Sequence, residues 1–346
     1  MHNKHKIRPG RPINRRDFLK VGGLVGTASV LAACGGTVSE ATQIPTGVCP
    51  TPAPTQSAQQ PTQEIAVRIA HMTDMHIAAG GPSADDFGRA LRDAQARQPR
   101  IDFILNTGDC LGDSLASEKD AVQAAWDKFT GVVKAECRIP IYHAIGNHDV
   151  WGWGLPPNVQ KTLSSDPLFG KGFALQELGL SNRYYSFDNA GWRFLILDST
   201  HLPPPEFPEY ANGQSYIGEL DDEQFNWLVQ QLENTPDSMP VCVASHIPII
   251  SACELLDGPT EVRGNWLVPG AWVHIDARRL WALFWRHRNV KLCLSGHTHQ
   301  VEDVQYHGVK YLSDGSIAVP YMDFPTGYVI VNLYKDGSSD SEFVTY

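Results

Sequence analysis

Residues 65–76 read Ile-Ala-Val-Arg-Ile-Ala-His-Met-Thr-Asp-Met-His, an apolar run of strand length that leads directly into Asp74 and His76. Nearly continuous apolar runs of this length, bounded by polar residues, are typical of strands buried on both faces of a sheet. Asp74 and His76 are two positions apart, so in extended backbone their side chains point to the same side. The stretch predicts a buried strand that delivers a carboxylate and an imidazole to one pocket.

Four more apolar runs end in the same way. They span residues 101–107, 139–145, 240–245 and 290–295, and the potential ligands that follow them are Asp109, then Asn147, His148 and Asp149, then His246, then His297 and His299. Helical patterns at 84–97, 118–134, 221–232 and 276–288, with one further strand at 193–198, alternate with these runs. Such alternation predicts an α/β fold with a mixed sheet, in which sites form at the carboxyl ends of the strands.

The donor types indicate a metal centre. Carboxylate and amide oxygens together with imidazole nitrogens form a set that suits Zn, Mn or Fe. Even seven of these nine groups would be too many for one tetrahedral ion, and seven match two ions that share a bridging carboxylate. We therefore expect two divalent or transition-metal ions, with their identity left open among these three.

The five blocks, taken together, resemble the signature of the calcineurin-like metallophosphoesterases. They are Asp74-x-His76, Gly108-Asp109, Gly146-Asn147-His148-Asp149, His246 and Gly296-His297-x-His299, in the family's order. The resemblance implies a four-layer α/β/β/α sandwich over residues 64–346, with two mixed β-sheets flanked by helices. Purple acid phosphatases of this superfamily carry a tyrosine three residues after the bridging aspartate, and this chain has Gly112 there.

The resemblance also implies a role for each residue. Asp74, His76 and His299 would hold the first metal, and Asn147, His246 and His297 would hold the second. Asp109 would bridge the two ions. His148 would face the substrate, with Asp149 as its orienting partner.

The function implied is hydrolysis of a phosphoester. Two cations lower the pKa of a shared water, and the resulting hydroxide would attack phosphorus in line. His148 would stabilise the developing charge or protonate the leaving alkoxide. We expect a phosphodiesterase acting on a small substrate such as a cyclic nucleotide or a glycerophosphodiester. The alternatives are a phosphomonoesterase or nucleotidase and, in another class, a non-catalytic metal- or phosphate-binding surface lipoprotein.

Two long segments, 150–182 and 201–217, contain candidate substrate residues. Trp151 and Trp153 directly follow the third block, and His201 follows the strand at 193–198. The two tryptophans would form an aromatic wall for the leaving group, or else would pack the insertion onto the body.

The N-terminal segment differs in charge from the rest of the chain. The whole sequence has a net charge of −10, but residues 1–33 contain seven basic residues and one acid. The other 313 residues therefore contain 21 basic and 37 acidic residues, a net charge of −16. A body this acidic argues against a nucleic acid held by charge as the partner.

The same segment has the order of an export signal. Arg15-Arg16-Asp17-Phe18-Leu19-Lys20 resembles a twin-arginine signal, and a 13-residue apolar run that is too short to span a bilayer follows it. Leu31-Ala32-Ala33-Cys34 resembles a lipobox, which predicts removal of residues 1–33 and lipidation of Cys34. Residues 34–63, rich in Pro, Thr and Gln, predict an extended tether. We expect export by the twin-arginine translocase and anchoring in the cell envelope, with a soluble periplasmic or secreted protein as the alternative.

Overall fold

The computed structural model describes residues 63–204, 215–256, 261–262, 265–321 and 324–346. The predicted signal peptide, Cys34 and residues 34–62 of the predicted tether lie outside the described residues. None of the described helices has both the length and the apolar character needed to cross a membrane.

Fifteen strands and six α-helices are described. The strands are β1 Ile65–Met72, β2 Phe103–Asn106, β3 Ile141–His143, β4 Tyr185–Asn189, β5 Trp192–Ile196, β6 Thr200–His201, β7 Ile217–Gly218, β8 Val241–Ala244, β9 Glu261–Val262, β10 Asn265–Trp266, β11 Val290–Ser295, β12 Glu302–Tyr306, β13 Val309–Ser313, β14 Tyr328–Tyr334 and β15 Ser339–Val344. The helices are α1 Ser83–Ala96, α2 Lys119–Glu136, α3 Pro157–Leu163, α4 Gly172–Glu177, α5 Asp222–Glu233 and α6 Ala277–Arg286.

Two large mixed sheets form the centre of the molecule. The first has the strand order β15-β14-β1-β2-β3, and the second has the order β12-β13-β11-β8-β5-β4. The strands β1, β2 and β3 are parallel to one another, as are β5, β8, β11 and β13. The ends of both parallel sets carry the ligand blocks, so the topology gathers those blocks at one end of the sandwich.

The alternation of side chains along the strands builds the layers. In β5, Trp192, Phe194 and Ile196 join the core between the two sheets, whereas Leu195 joins a second core beneath α5 and α6. A third core packs α1 and α2 against the other face of the first sheet. Burying both faces of each sheet in this way stabilises the layers through the hydrophobic effect. The four-layer α/β/β/α prediction is confirmed.

The predicted elements agree with the structure except at their ends. Six strands and four helices occur where the patterns place them, and β3 is reduced to three residues. The 150–182 insertion forms α3 and α4, and its buried side chains Trp151 and Phe173 pack in the core that contains α1 and α2. In the 201–217 segment, β6 and β7 pair, and residues 205–214 are not described.

Candidate metal centre

The ligand loops leave their strands through strained backbone. Seven non-glycine residues among those described have a positive φ, and five of them are predicted ligands: Asp74, His76, Asp109, His297 and His299. Each such residue costs on the order of 1–3 kcal/mol and persists only where its surroundings hold it in place, and such residues concentrate at functional sites. Hydrogen bonds hold two of them here, because the N–H groups of Asp74 and His76 donate to the carbonyls of Gly108 and Asp109 at 3.0 and 3.1 Å.

Two glycines in the blocks are required by close approach. A Cβ atom on Gly146 would lie 2.1 Å from both the backbone N and Oδ1 of Asp109. A Cβ on Gly296 would lie 2.0 Å from Oγ1 of Thr73 and 2.5 Å from Oδ2 of Asp74. Any side chain at either position would separate loops whose contact brings the ligands together.

Asp74, His76 and His299 form the first donor group. The Nε2 atoms of the two histidines lie 2.9 Å apart, and Oδ1 of Asp74 lies 3.5 Å from His76 Nε2 and 3.2 Å from His299 Nε2. Oδ2 of Asp74 accepts from Thr73 Oγ1 and from the His297 N–H, whereas buried Oδ1 has no hydrogen-bond partner. Three donor atoms that converge, one of them an unpartnered buried carboxylate oxygen, fit a cation.

Asn147, His246 and His297 form the second group. His246 Nε2 lies 2.9 Å from Asn147 Oδ1 and 3.2 Å from His297 Nδ1. The other nitrogen of each ring faces a carbonyl, Nδ1 of His246 at Thr107 and Nε2 of His297 at Ala271, both at 3.0 Å. These carbonyls accept an N–H and so fix the tautomer that leaves the inward nitrogen free for a metal.

Asp109 lies between the two groups. Its Oδ2 is 3.2 Å from His246 Nε2 and 3.9 Å from His76 Nε2, one atom from each group. Its Oδ1 accepts the His148 N–H at 2.8 Å, which leaves Oδ2 facing both groups. One buried carboxylate oxygen that faces both donor groups has the position of a bridging ligand.

The electrostatics of the cluster favour bound cations. Burial opposes ionisation of Asp74 and Asp109, but the neighbouring histidines outweigh it and hold both pKa values below the ordinary carboxyl range. Burial also opposes protonation of His246, yet Asp109 and Asp74 raise its pKa to about 9. The carboxylates therefore hold positive charge in this space, and cations bound by the same donors would supply it.

His148 lies at the mouth of the cluster. Its ring centroid is 5.1 Å from that of His76, and one of its ring nitrogens lies within 4.8 Å of donor atoms of His76 and Asp109. Nδ1 is 3.8 Å from Oδ1 of Asp113. Burial lowers the pKa of His148, but Asp109 and Asp113 together raise it to about 9.

The predicted pairing of Asp149 with His148 is wrong. Oδ1 and Oδ2 of Asp149 accept the N–H groups of Leu111 and Gly146 at 3.1 and 2.9 Å. Asp149 therefore fastens the second and third blocks together, and the acid that faces the His148 ring is Asp113. No pattern in the sequence distinguishes Asp113 from other acids, because its position follows from how the loop after β2 turns.

The open cavity over the cluster measures about 240 Å³. Besides the ligands and His148, it is lined by side chains that the sequence did not single out, namely Glu254, Trp272, Thr298 and Tyr321. The predicted substrate residues do not line it. Trp151 is 2% exposed and donates from Nε1 to the Ser117 carbonyl, so it packs the insertion. Trp153 and His201 line a separate cavity with Lys171 and Arg183.

Residues 67–301 match the sequence profile of the calcineurin-like phosphoesterases. This chain belongs to that family. It is therefore a hydrolase of phosphoester bonds, and the dinuclear-metal dependence of the family agrees with the two donor groups.

Relatives and solved structures agree with this placement. The 3′,5′-cyclic adenosine monophosphate phosphodiesterase CpdA of Escherichia coli K12 is 25% identical over 295 residues, covering 81% of this chain and 90% of the relative. A 3′,5′-cyclic-nucleotide phosphodiesterase from Nostoc sp. is 23% identical over 292 residues, covering 80% and 91%. A dimetal phosphatase from Danio rerio has the same fold, with a TM-score of 0.54, 18% identity and coverage of 78% of this chain and 94% of that one.

Proposed function

We propose that the protein hydrolyses 3′,5′-cyclic nucleotides or a closely similar small phosphodiester. The observation that carries the proposal is that two donor groups face one oxygen of Asp109 on the floor of an open cavity, with His148 at its mouth. The named phosphodiesterases from Escherichia coli and Nostoc sp. align with about four-fifths of this chain. The family profile matches residues 67–301, which include all five blocks.

The seven donor residues would bind the two metal ions in separate groups. One ion would be held by Asp74, His76 and His299, and the other ion by Asn147, His246 and His297. Asp109 would bind both ions. Two such ions, when bound, lower the pKa of a water and offset charge on the phosphate oxygens. The donor set suits Mn, Fe or Zn, and metal analysis of the purified protein would identify which ions it holds.

His148 is placed to transfer a proton. Asp109 and Asp113 favour its imidazolium form, and the ring borders the cavity in which a phosphate would lie. A positioned imidazolium can donate to the departing alkoxide and contributes about 10²–10⁴-fold in rate. Trp272 and Tyr321 border the same cavity and offer flat apolar faces to a nucleobase.

The test is a panel of substrates assayed with metal-loaded protein and its Asn147→Ala and His148→Ala variants. The panel comprises cyclic AMP, cyclic GMP, a glycerophosphodiester, a chromogenic diester and AMP. We expect cyclic nucleotides to have the highest kcat/KM and both variants to lose the activity. Faster turnover of AMP than of every diester would make the protein a monoesterase. No turnover despite two bound metals would favour the non-catalytic binding protein.

We also propose that the protein is exported by the twin-arginine route and anchored through a lipid on Cys34. The order of Arg15-Arg16, the apolar run and Leu31-Ala32-Ala33-Cys34 supports this. The test is fractionation of cells that express the wild type, an Arg15→Lys/Arg16→Lys variant and a Cys34→Ser variant. The first variant should stay inside the cell, and the second should be exported without labelling by a fatty-acid probe. Export of the lysine variant at the normal rate would contradict the route.

A further inference from the structure

A cluster of aromatic and basic side chains lies on α6 and the β12–β13 hairpin, apart from the metal centre. Trp285 and Tyr306 are 44% and 45% exposed, and Trp281 lies beside both, with ring centroids 6.1 and 6.3 Å away. The His307 ring completes the cluster, 4.8 Å from Trp285 and 4.3 Å from Tyr306. The Arg288 guanidinium lies 3.5 Å from the Trp285 centroid.

The backbone fixes this arrangement. Tyr306 pairs with Val309, and the two residues between them, His307 and Gly308, have φ values of 51° and 86°. Two positive φ values in a two-residue loop describe a tight hairpin turn of the type I′ kind. On α6, Arg278, Trp281 and Trp285 are spaced by three and four residues and so share one face. We call Arg278, Trp281, Trp285, Arg288, Tyr306 and His307 the basic aromatic patch.

The charge of this region is opposite to that of the body. Residues 276–291 contain five basic residues and one acid, in a chain whose last 313 residues have a net charge of −16. Arg279 pairs with Asp222 at 2.8 Å, and Lys310 nearby pairs with Asp303 at 3.0 Å. Arg278, Arg286 and Arg288 are exposed and take part in none of the ion pairs formed by the described residues. Their charge is therefore available to an anionic partner.

The patch is at the end of the molecule opposite the metal centre. Strand β11 begins at Val290, two residues after Arg288, and ends at Ser295, two residues before His297. Six strand residues span about 20 Å. The start of the described chain is at the same end, because Gln63 bonds to Asp336 and Ser338, and a Cβ on the intervening Gly337 would lie 3.6 Å from Lys291 Cε.

We propose that the basic aromatic patch binds the surface of an anionic lipid bilayer. Indole and phenol rings favour the headgroup region, where one end of the side chain is wet and the other apolar. The guanidinium groups would pair with lipid phosphates, and each cation near an anionic surface strengthens binding about fivefold.

The test is flotation of the full chain, with Cys34→Ser to remove the proposed lipid, on vesicles of equal parts phosphatidylcholine and phosphatidylglycerol. We expect binding at low salt that falls at high salt and on phosphatidylcholine alone. Trp285→Ser should weaken the affinity about tenfold and Arg288→Glu, which changes the charge by two units, about 25-fold. The matched controls are Trp266→Ser, an indole 52% exposed on β10, and Lys161→Glu on α3, and both should bind normally.

Three outcomes would overturn the proposal. The first is no binding to the anionic vesicles, and the second is equal weakening by the control and patch variants. The third is a wild-type dimer in light scattering that Trp285→Ser converts to monomer, since the patch would then join two copies of the chain. Unchanged melting temperature and phosphodiester hydrolysis in Trp285→Ser and Arg288→Glu would show that these variants remain folded.

Discussion

Nδ1 of His148 lies 3.8 Å from Oδ1 of Asp113, and this carboxylate, not the adjacent Asp149, faces the imidazole. Asp113 follows the bridging Asp109 by four residues, so the loop after β2 supplies both acids that act on the ring. Asp113 lies at the exposed side of His148 and Asp109 at the buried side, and both raise the pKa of the imidazole.

Asp113→Asn should lower kcat for the diester about tenfold, a part of what a positioned proton donor contributes. The amide keeps the size of the side chain but loses the charge that favours the imidazolium. KM should change little, because Asp113 does not line the cavity over the cluster. Steady-state kinetics of Asp113→Asn and Asp113→Glu test this, and recovery of kcat in the glutamate variant would separate charge from a merely structural effect.

Removing metal should destabilise the fold. Seven ligands from both sheets meet at the cluster, and a ligand that binds only the folded state adds about 2.7 kcal/mol at a hundredfold excess over its Kd. Calorimetry with a chelator, and again after adding Mn²⁺, should show a fall and a recovery of Tm. Asp74→Asn should abolish most of that shift, and Asp113→Asn should keep it. A chelator-insensitive wild-type Tm would count against the metal centre.

Gly146→Ala should disrupt the centre. The new Cβ would lie 2.1 Å from atoms of Asp109, and relieving that overlap would cost about 3 kcal/mol of unfolding free energy or move the bridging ligand. Gly131→Ala is the matched control, because Gly131 is in α2 and a Cβ added there would meet no neighbouring atom within 4 Å. This control should add about 0.5–1 kcal/mol of stability. Urea unfolding of both variants measures the difference in their unfolding free energies. An unchanged unfolding free energy in Gly146→Ala would contradict the prediction.

Acid should destabilise the protein through His143. This ring is buried, and burial lowers its pKa to about 4, below the ordinary 6.5 of an unfolded chain. Nδ1 of the neutral ring accepts from Asn106 Nδ2 at 2.9 Å. The contribution of the neutral His143 ring to the free energy of unfolding is complete above pH 6.5. It is lost as the pH falls towards 4, by about 3 kcal/mol in total. Urea unfolding between these pH values should show a shallower loss in His143→Gln, and equal losses would exclude His143 as the source.

Substitution of Trp151 should mainly lower stability, whereas substitution of Trp272 should mainly raise KM. Trp151 fills the core of the insertion, with its ring centroid 5.5 Å from that of Phe173, so Trp151→Ala should cost about 3–5 kcal/mol of stability. Trp272 lines the cavity, so Trp272→Ala should raise KM for a cyclic nucleotide with a smaller loss of Tm. Thermal melts and kinetics of both variants test this, and the reverse pattern would restore Trp151 as a substrate residue.

The sequence predicts the strands, the helices and the ligand positions because these rest on local patterns, whereas the four layers are implied by the family resemblance. A buried strand needs an apolar run, and a ligand loop needs a metal-donor residue directly after that run. Both features can be recognised in the sequence at residues 65–76 and 290–299. The partner of His148 and the cavity wall depend on how loops from distant parts of the chain meet. Asp113 and Trp272 carry no local mark of their roles, and Trp151, next to a ligand block, is directed away from the cavity by the fold of the insertion.

The first donor group also constrains when the site can exist. His76 and His299 are 223 residues apart in the chain, and their Nε2 atoms are 2.9 Å apart in space. During synthesis, a chain that ends before residue 299 lacks a ligand of the first ion, and one that ends before residue 297 lacks ligands of both. The complete pair of ions can therefore be bound only after residue 299 has been synthesised, and a chain truncated before that residue lacks a ligand of the pair.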